Sequence, residues 1–270
     1  MSVHPLYEDF LRFVDALAAG GADAWTLYER HYLGPHREVL TAWWKQCLDL
    51  PEETWRGRVD TLRPEQYELL RAIVSGDDLP ALASGALARC QEVLPLEVAP
   101  EVYLLVGFFS PDGFAFQVKG EWAIGIGLER LTGSRLIPIL IAHEYAHCAR
   151  RRLSSPETLC ERLVEEGFAV ALAARTFPGR PEADHLLMRP GQVSALQQYR
   201  RELWSALERH LDSTDEALAA RVLYGQAEKR EWPSRAGVYL GWELVRQHLA
   251  HRPDDFLTPA GEVLASSSVR

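Results

Sequence analysis

LIAHEYAHCARRR (residues 140–152) places two histidines four positions apart, with a glutamate directly after the first. The apolar residues around them recur at helical spacing, so the segment is predicted to form a largely buried helix. Positions i and i+4 of an α-helix lie on one face, which lets His143 and His147 reach a single metal ion. Glu144 stands where its carboxylate can reach a metal-bound water without binding the metal itself. The segment therefore predicts a metal-binding helix.

A second segment of the sequence helps to decide whether this HExxH pattern arose by chance. Chance alone gives the pattern in roughly 3% of chains with this length and composition. ERLVEEGFAVAL (residues 161–172) is predicted to be the next helix, and eighteen residues separate His147 from its Glu166. Gly167 follows directly and permits close helix packing, because it has no side chain. Taken without any comparison, Glu165 and Glu166 are interpreted as a solvated acidic pair.

The two segments together carry a family resemblance. HExxH, eighteen residues and then the glutamate of EGFA resemble the gluzincin metallopeptidases, among them zinc aminopeptidases whose third ligand lies in a similar NEGFA segment. A PDG turn (residues 111–113) before these motifs and AGVYLGWELVRQHLA (residues 236–250) after them are similar to a bacterial family of predicted zinc-dependent proteases. The resemblance implies one zinc ion bound by His143, His147 and Glu166, with a fourth coordination position left open.

The resemblance has limits, and the neighbouring ligand candidates are weaker. No GxMEN-type segment for a substrate amine is present, and CARRR follows the second histidine, so an aminopeptidase specificity is unsupported. Glu165 points about 100° away from Glu166 around the helix. Cys148 lies on the wrong side of its helix for ligation, and Cys160 lies six residues before Glu166. Both cysteines are interpreted as packing thiols.

The resemblance also implies an activity, that of a zinc metallopeptidase (a gluzincin-like hydrolase) that cleaves peptide bonds with a zinc-activated water. Glu144 would be the general base. A side-chain donor would stabilise the oxyanion. Tyr239 is the first choice, because AGVYLGW resembles the family's late tyrosine segment, and Tyr224 is the second, although either could be a packed aromatic. The strand predicted at residues 122–127 is expected to lie above the site and to pair with an extended substrate.

Two other functions are compatible with the motif. In the first, zinc would stabilise a non-catalytic helical module that binds another protein. Structural zinc sites usually close with a fourth protein ligand, most often Cys or His, and none stands at a plausible spacing here. In the second, the chain would be a peptide deformylase, but position 146 is alanine where that motif has aspartate, and the predicted strands contain no cysteine.

The spacing of apolar residues over the whole chain predicts an α+β fold with a helical majority. Residues 1–95 read as a helical N-terminal region, and residues 96–270 as a zincin-like metallopeptidase domain with an active-site HExxH helix. Strands are predicted at residues 102–109, 114–118 and 122–127, as a small antiparallel meander. Gly125 and Gly127 indicate either an edge that another backbone approaches or a bulge or strand end.

The composition of the chain limits the classes of binding partner that we expect. The net charge is -9, and the basic residues are scattered, so neither a nucleic acid nor an anionic membrane is expected as a partner. A peptide or protein substrate is expected instead, while the oligomeric state is left open. The chain shows no signal-peptide pattern, no long uncharged apolar run and four cysteines without CxxC spacing. These features favour a cytoplasmic protein with reduced thiols.

Overall fold

The computed structural model describes residues 2–49, 51–108, 111–225 and 232–267. The chain forms two compact units, one of Met1–Gln91 with Leu96–Cys148 and one of Glu92–Pro95 with Ala149–Arg270. This division concerns packing and does not test where a catalytic region begins, so the boundary at residue 95 stays a prediction. Phe109, predicted as the end of the first strand, lies outside the described residues.

Helices make up most of the first unit. They are α1 (Tyr7–Ala19), α2 (Ala24–Tyr28), α3 (Gly34–Cys47), α4 (Glu52–Asp60), α5 (Glu68–Gly76), α6 (Leu79–Val93) and α7 (Ile137–Arg151), of which α6 and α7 both end in the second unit. A π-helical turn, Glu29–Leu33, joins α2 to α3. Phe10, Phe13, Tyr28 and Tyr32 pack edge to face in the core. These rings fix α1 and α2 against the helical turn before α3.

A four-stranded sheet completes the first unit. Its strands are β1 (Val3–Pro5), β2 (Glu101–Leu105), β3 (Gly113–Val118) and β4 (Glu121–Gly127), in the order β1-β2-β4-β3. β1 pairs with β2 and β2 pairs with β4 in parallel, and β3 pairs with β4 as an antiparallel hairpin. The predicted antiparallel meander is therefore wrong, since the sheet is mixed. β2 is buried at four of its five residues, which is typical of an interior strand in a parallel pair.

β4 lies between β2 and β3, so the edge considered at Gly125 and Gly127 is not present, whereas the alternative of a strand end holds for Gly127, the last residue of β4. The glycine at position 125 has another cause. A Cβ placed on Gly125 would lie 2.0 Å from Cζ3 of Trp43, an indole of α3 that packs on this face of the sheet. The absence of a side chain therefore makes room for Trp43.

The second unit is helical. It contains α8 (Leu159–Thr176), α9 (Glu182–His185), α10 (Pro190–Gln198), α11 (Arg200–Leu207), α12 (Glu216–Tyr224), α13 (Ala236–His251) and α14 (Ala260–Ser266). Thr158 caps α8 in a reciprocal arrangement with Glu161.

The close packing predicted at Gly167 is present, and its partner helix is α13. A Cβ on Gly167 would lie 2.2 Å from the carbonyl oxygen of Gly241, and a Cβ on Gly241 would lie 1.9 Å from that of Leu163. A glycine on each helix therefore lets the two backbones come into contact.

The predicted fold class, α+β with a helical majority and one small sheet, is confirmed. Within the described residues, no helix combines the length and the apolar character needed to cross a membrane.

The contact between Gly125 and Trp43 leads to a stability prediction. We expect Gly125→Ala to lower the free energy of unfolding by about 1–3 kcal/mol, because the added methyl group overpacks a fully buried indole. The matched control is Gly85→Ala, on the exposed side of α6 with open space around it. That change should be neutral or stabilise by roughly 0.5–1 kcal/mol. Urea denaturation measures both, and equal stabilities for the two variants would contradict the prediction.

Candidate metal centre

α7 carries the two histidines and the glutamate of HExxH in its buried part. His143, Glu144 and His147 are all buried. The rings of His143 and His147 lie one turn apart, with centroids 5.0 Å from each other and planes inclined by 72°. The predicted placement of both imidazoles on one helix face is therefore present.

Glu144 lies beside the first residue of β3. A Cβ placed on Gly113 would be 2.9 Å from Oε1 of Glu144 and 3.1 Å from its Cγ. Only glycine fits at this position without a shift, so the strand begins directly against the carboxylate. The sequence indicated Gly113 as a turn residue in PDG, and nothing in the pattern pointed to Glu144 as its neighbour.

The charge of Glu144 also acts on the end of α3. Burial, followed by the negative charges of Glu144 and Glu129, raises the pKa of the Cys47 thiol to about 12. Cys47 is therefore a protonated thiol at neutral pH. The last turn of α3 thus lies in the electrostatic surroundings of Glu144.

Glu166, on α8, completes a group of three metal-binding side chains. His143, His147 and Glu166 each offer one atom that could bind a metal ion, and these three atoms lie within 4.8 Å of one another. Donor atoms around a tetrahedral zinc ion stand roughly 3.3 Å apart, given zinc–ligand distances near 2.0–2.1 Å. Two imidazoles and one carboxylate form a ligand set that catalytic zinc sites use. The group is therefore able to hold a metal ion.

Glu165 behaves differently from its neighbour. It is buried, and its Oε1 accepts a 2.7 Å hydrogen bond from Nε of Arg151 at the end of α7. The interpretation of residues 165 and 166 as a solvated acidic pair is therefore wrong for both. The sequence reading missed the partner of Glu165, although three consecutive arginines one turn after HExxH offered a candidate.

The two tyrosines proposed as oxyanion donors occupy different surroundings. Tyr239, on α13, is 3% exposed, and burial together with the charge of Glu243 raises its pKa to about 12. Glu243 in turn accepts a 3.1 Å hydrogen bond from Arg200. Tyr224 ends α12 and is 56% exposed. The oxyanion role stays a prediction for both.

The two cysteines near the motifs agree with their interpretation as packing thiols. Cys148 and Cys160 are buried and form no disulfide. The Cys148 thiol lies 3.6 Å from the carbonyl oxygen of Ala123 on β4, to which it donates. Burial raises the pKa of Cys160 to about 11. Neither residue belongs to the group of three ligands.

A comparison with protein families gives one match. The model of a family described as "Predicted Zn-dependent protease (DUF2268)" matches residues 118–261, more than half of the chain. The chain belongs to this family. The matched span contains HEYAH, EGFA and AGVYLGW, so the family resemblance of the sequence is confirmed. No curated protein and no solved structure gives a significant match.

The family match begins at Val118, the last residue of β3. The elements before the matched span are α1 to α6, β1 and β2. Gly113, which is in contact with Glu144, also precedes it. The matched span therefore contains both helices that carry the proposed ligands, and Gly113 lies before it.

The adjacent carboxylates Glu165 and Glu166 give a matched pair for a metal-binding test. We expect Glu166→Gln to weaken zinc binding by about 100-fold or more, since losing even an indirect partner of a metal ligand costs up to that much. Glu165→Gln should keep zinc but lower the free energy of unfolding by about 1–3 kcal/mol, because the bond from Arg151 loses its charged acceptor and the arginine loses its ion pair. Zinc titration with a competing chelator measures the first effect, and urea denaturation the second. Equal zinc affinities in the two variants would contradict the assignment of Glu166.

Proposed function

We propose that this protein is a zinc metallopeptidase that hydrolyses peptide bonds at the group formed by His143, His147 and Glu166. The observation that carries the proposal is this buried group, whose three candidate ligand atoms lie within 4.8 Å of one another. The family to which the chain belongs is described as a predicted zinc-dependent protease. Among the described residues the group has three side chains, the number of protein ligands that catalytic zinc sites use. A structural site would use four, so the non-catalytic module is the weaker candidate.

Zinc held by these residues would supply a Lewis acid that polarises the scissile carbonyl and makes a water easier to deprotonate. Glu144 takes a proton from the attacking water as the carbon–oxygen bond forms. It then gives that proton to the departing nitrogen as the carbon–nitrogen bond breaks, which leaves a carboxylate and an amine. The carboxylate lies against Gly113 in a mostly buried position.

Tyr239 is proposed as the donor to the oxyanion, with Tyr224 as the second candidate. A tyrosine must be protonated to donate, and the raised pKa of Tyr239 keeps its hydroxyl protonated well above neutral pH. Tyr224 is 56% exposed, so its hydroxyl lies in a more solvated environment than that of Tyr239. The buried surroundings of Tyr239 therefore favour it over Tyr224 as the preorganised donor.

The proposed substrate is a peptide or protein segment in extended conformation. The sequence suggested that β4 pairs with this substrate. It cannot, because β2 and β3 occupy both of its edges. Among the described strands, β3 stands at one end of the sheet order, and its first residue lies against Glu144. An extended peptide that adds to the start of β3 would therefore bring a peptide bond next to the general base.

Removal of the carboxylate at position 144 tests the mechanism. We expect Glu144→Gln to lower kcat for peptide hydrolysis by about 10²–10⁴-fold, since positioned general bases contribute that much. Zinc content should be unchanged, because Glu144 is not a proposed ligand. Glu157→Gln, an exposed acid before α8, is the control and should keep full activity. Full activity in Glu144→Gln would refute the mechanism.

The two tyrosines are distinguished by removing one hydroxyl at a time. We expect Tyr239→Phe to lower kcat by about 10²–10³-fold with little change in KM, the effect of losing one oxyanion donor. Tyr224→Phe should change kcat less than about twofold, since its exposed hydroxyl is not preorganised. Steady-state kinetics on one peptide substrate compares the three proteins. The opposite ranking would assign the donor to Tyr224, and two active variants would exclude both residues.

A further inference from the structure

Tyr145, the residue after Glu144, lies on the face of α7 opposite the proposed ligands, which is called the back face below. Successive residues of an α-helix are turned by about 100°, so Tyr145 stands about 200° from both His143 and His147. Its ring is completely buried, and its hydroxyl donates a 2.5 Å hydrogen bond to Oε1 of Gln91 on α6. The helix that carries HExxH is therefore attached to α6 by its back face.

Gln91 is itself held by a second hydrogen bond. Its Nε2 donates a 2.6 Å hydrogen bond to the carbonyl oxygen of Leu96, in the segment between α6 and β2. One side-chain amide thus joins the hydroxyl of Tyr145 to a main-chain group. Because hydrogen bonds weaken steeply when they are bent, an acceptor held in this way favours one direction for the hydroxyl.

Cys148 adds a weaker contact from the back face, one turn further along α7. Its thiol donates to the carbonyl oxygen of Ala123 on β4, at a distance of 3.6 Å. The back face is thus attached to a helix by Tyr145 and to the sheet by Cys148. Apolar packing is non-directional, so these polar contacts define the rotation of α7 about its axis more sharply than packing does.

We propose that Tyr145 is a positioning residue, whose hydrogen bond to Gln91 sets the rotation of α7 and so aims the two histidines of HExxH at one metal ion. This inference rests on the proposed function, because the group that Tyr145 orients is the proposed zinc centre. A rotation of α7 by about 10° would move a side-chain atom that lies roughly 5–6 Å from the helix axis by about 1 Å. Binding and catalytic groups must be held within about 0.5 Å of their productive positions. A bond on the back face therefore acts on the ligands although it touches neither of them.

Zinc binding tests the inference without any need for turnover. We expect Tyr145→Phe to weaken zinc binding about tenfold, the lower end of the effect of groups that orient metal ligands from behind. Gln91→Met removes the acceptor with little change in side-chain length and should have the same effect. The double variant should bind zinc no more weakly than either single variant, because both changes remove the same bond. Competition with a chelator measures the wild type and the three variants.

Ile141→Val is the matched control, since Ile141 is buried on the back face one turn before Tyr145. The change removes one buried carbon and no hydrogen bond, so it should lower the urea midpoint and leave the zinc affinity unchanged. In the zinc-loaded protein, Tyr145→Phe should also lower kcat about 10–100-fold with little change in KM, because a misplaced reacting group slows the chemical step.

The failure of this inference and the failure of the proposed function give different results. Zinc binding by the wild type without peptide hydrolysis would refute the peptidase and leave the zinc affinities as the test of Tyr145. Equal zinc affinities for the wild type and Tyr145→Phe, an equal loss in Ile141→Val, or additive losses in the double variant would overturn the inference, because Tyr145 would then serve packing alone. A wild type that binds no zinc would overturn both.

Discussion

The burial of ionisable groups is the constraint on which the rest of the structure depends. His143, Glu144, His147, Glu165 and Glu166 are all buried on α7 and α8. An isolated charge in such a place is strongly destabilising, so each carboxylate needs a compensating neighbour. Glu165 has Arg151, and Glu166 lies with two imidazoles in a group able to hold a cation. For the two carboxylates of α8, the requirement that a buried charge has a partner is therefore met by an arginine in one case and by the group of candidate metal ligands in the other.

Glycines make this arrangement sterically possible at two positions. Gly167 follows Glu166 and lets α8 touch the backbone of α13 at Gly241, so the helix that carries the carboxylate is held without an intervening side chain. Gly113 lets β3 begin against Glu144. In each case the missing side chain adjoins a carboxylate of the site, and any larger residue would force the carboxylate or its supporting helix to move.

The sequence predicted the ligand helices because their signal is local. HExxH places two imidazoles on one face of any α-helix, and EGFA is recognisable without knowing how the chain turns. The sheet could not be predicted in the same way, because alternation identifies a strand and not its partner. The hairpin of β3 and β4 is indicated by its short turn, whereas β2 pairs with β4 across the intervening β3, a pairing that no local pattern marks. The burial of Glu165 was missed for a similar reason, since its partner Arg151 stands fourteen residues earlier.

The family match covers the part of the chain that carries the local motifs. The family match covers α7, α8 and α13, which carry the proposed ligands, the base and the first tyrosine. The start of β3 precedes the match. The match therefore supports the helices that carry the proposed chemistry, and the position of Gly113 against Glu144 comes from the structure alone.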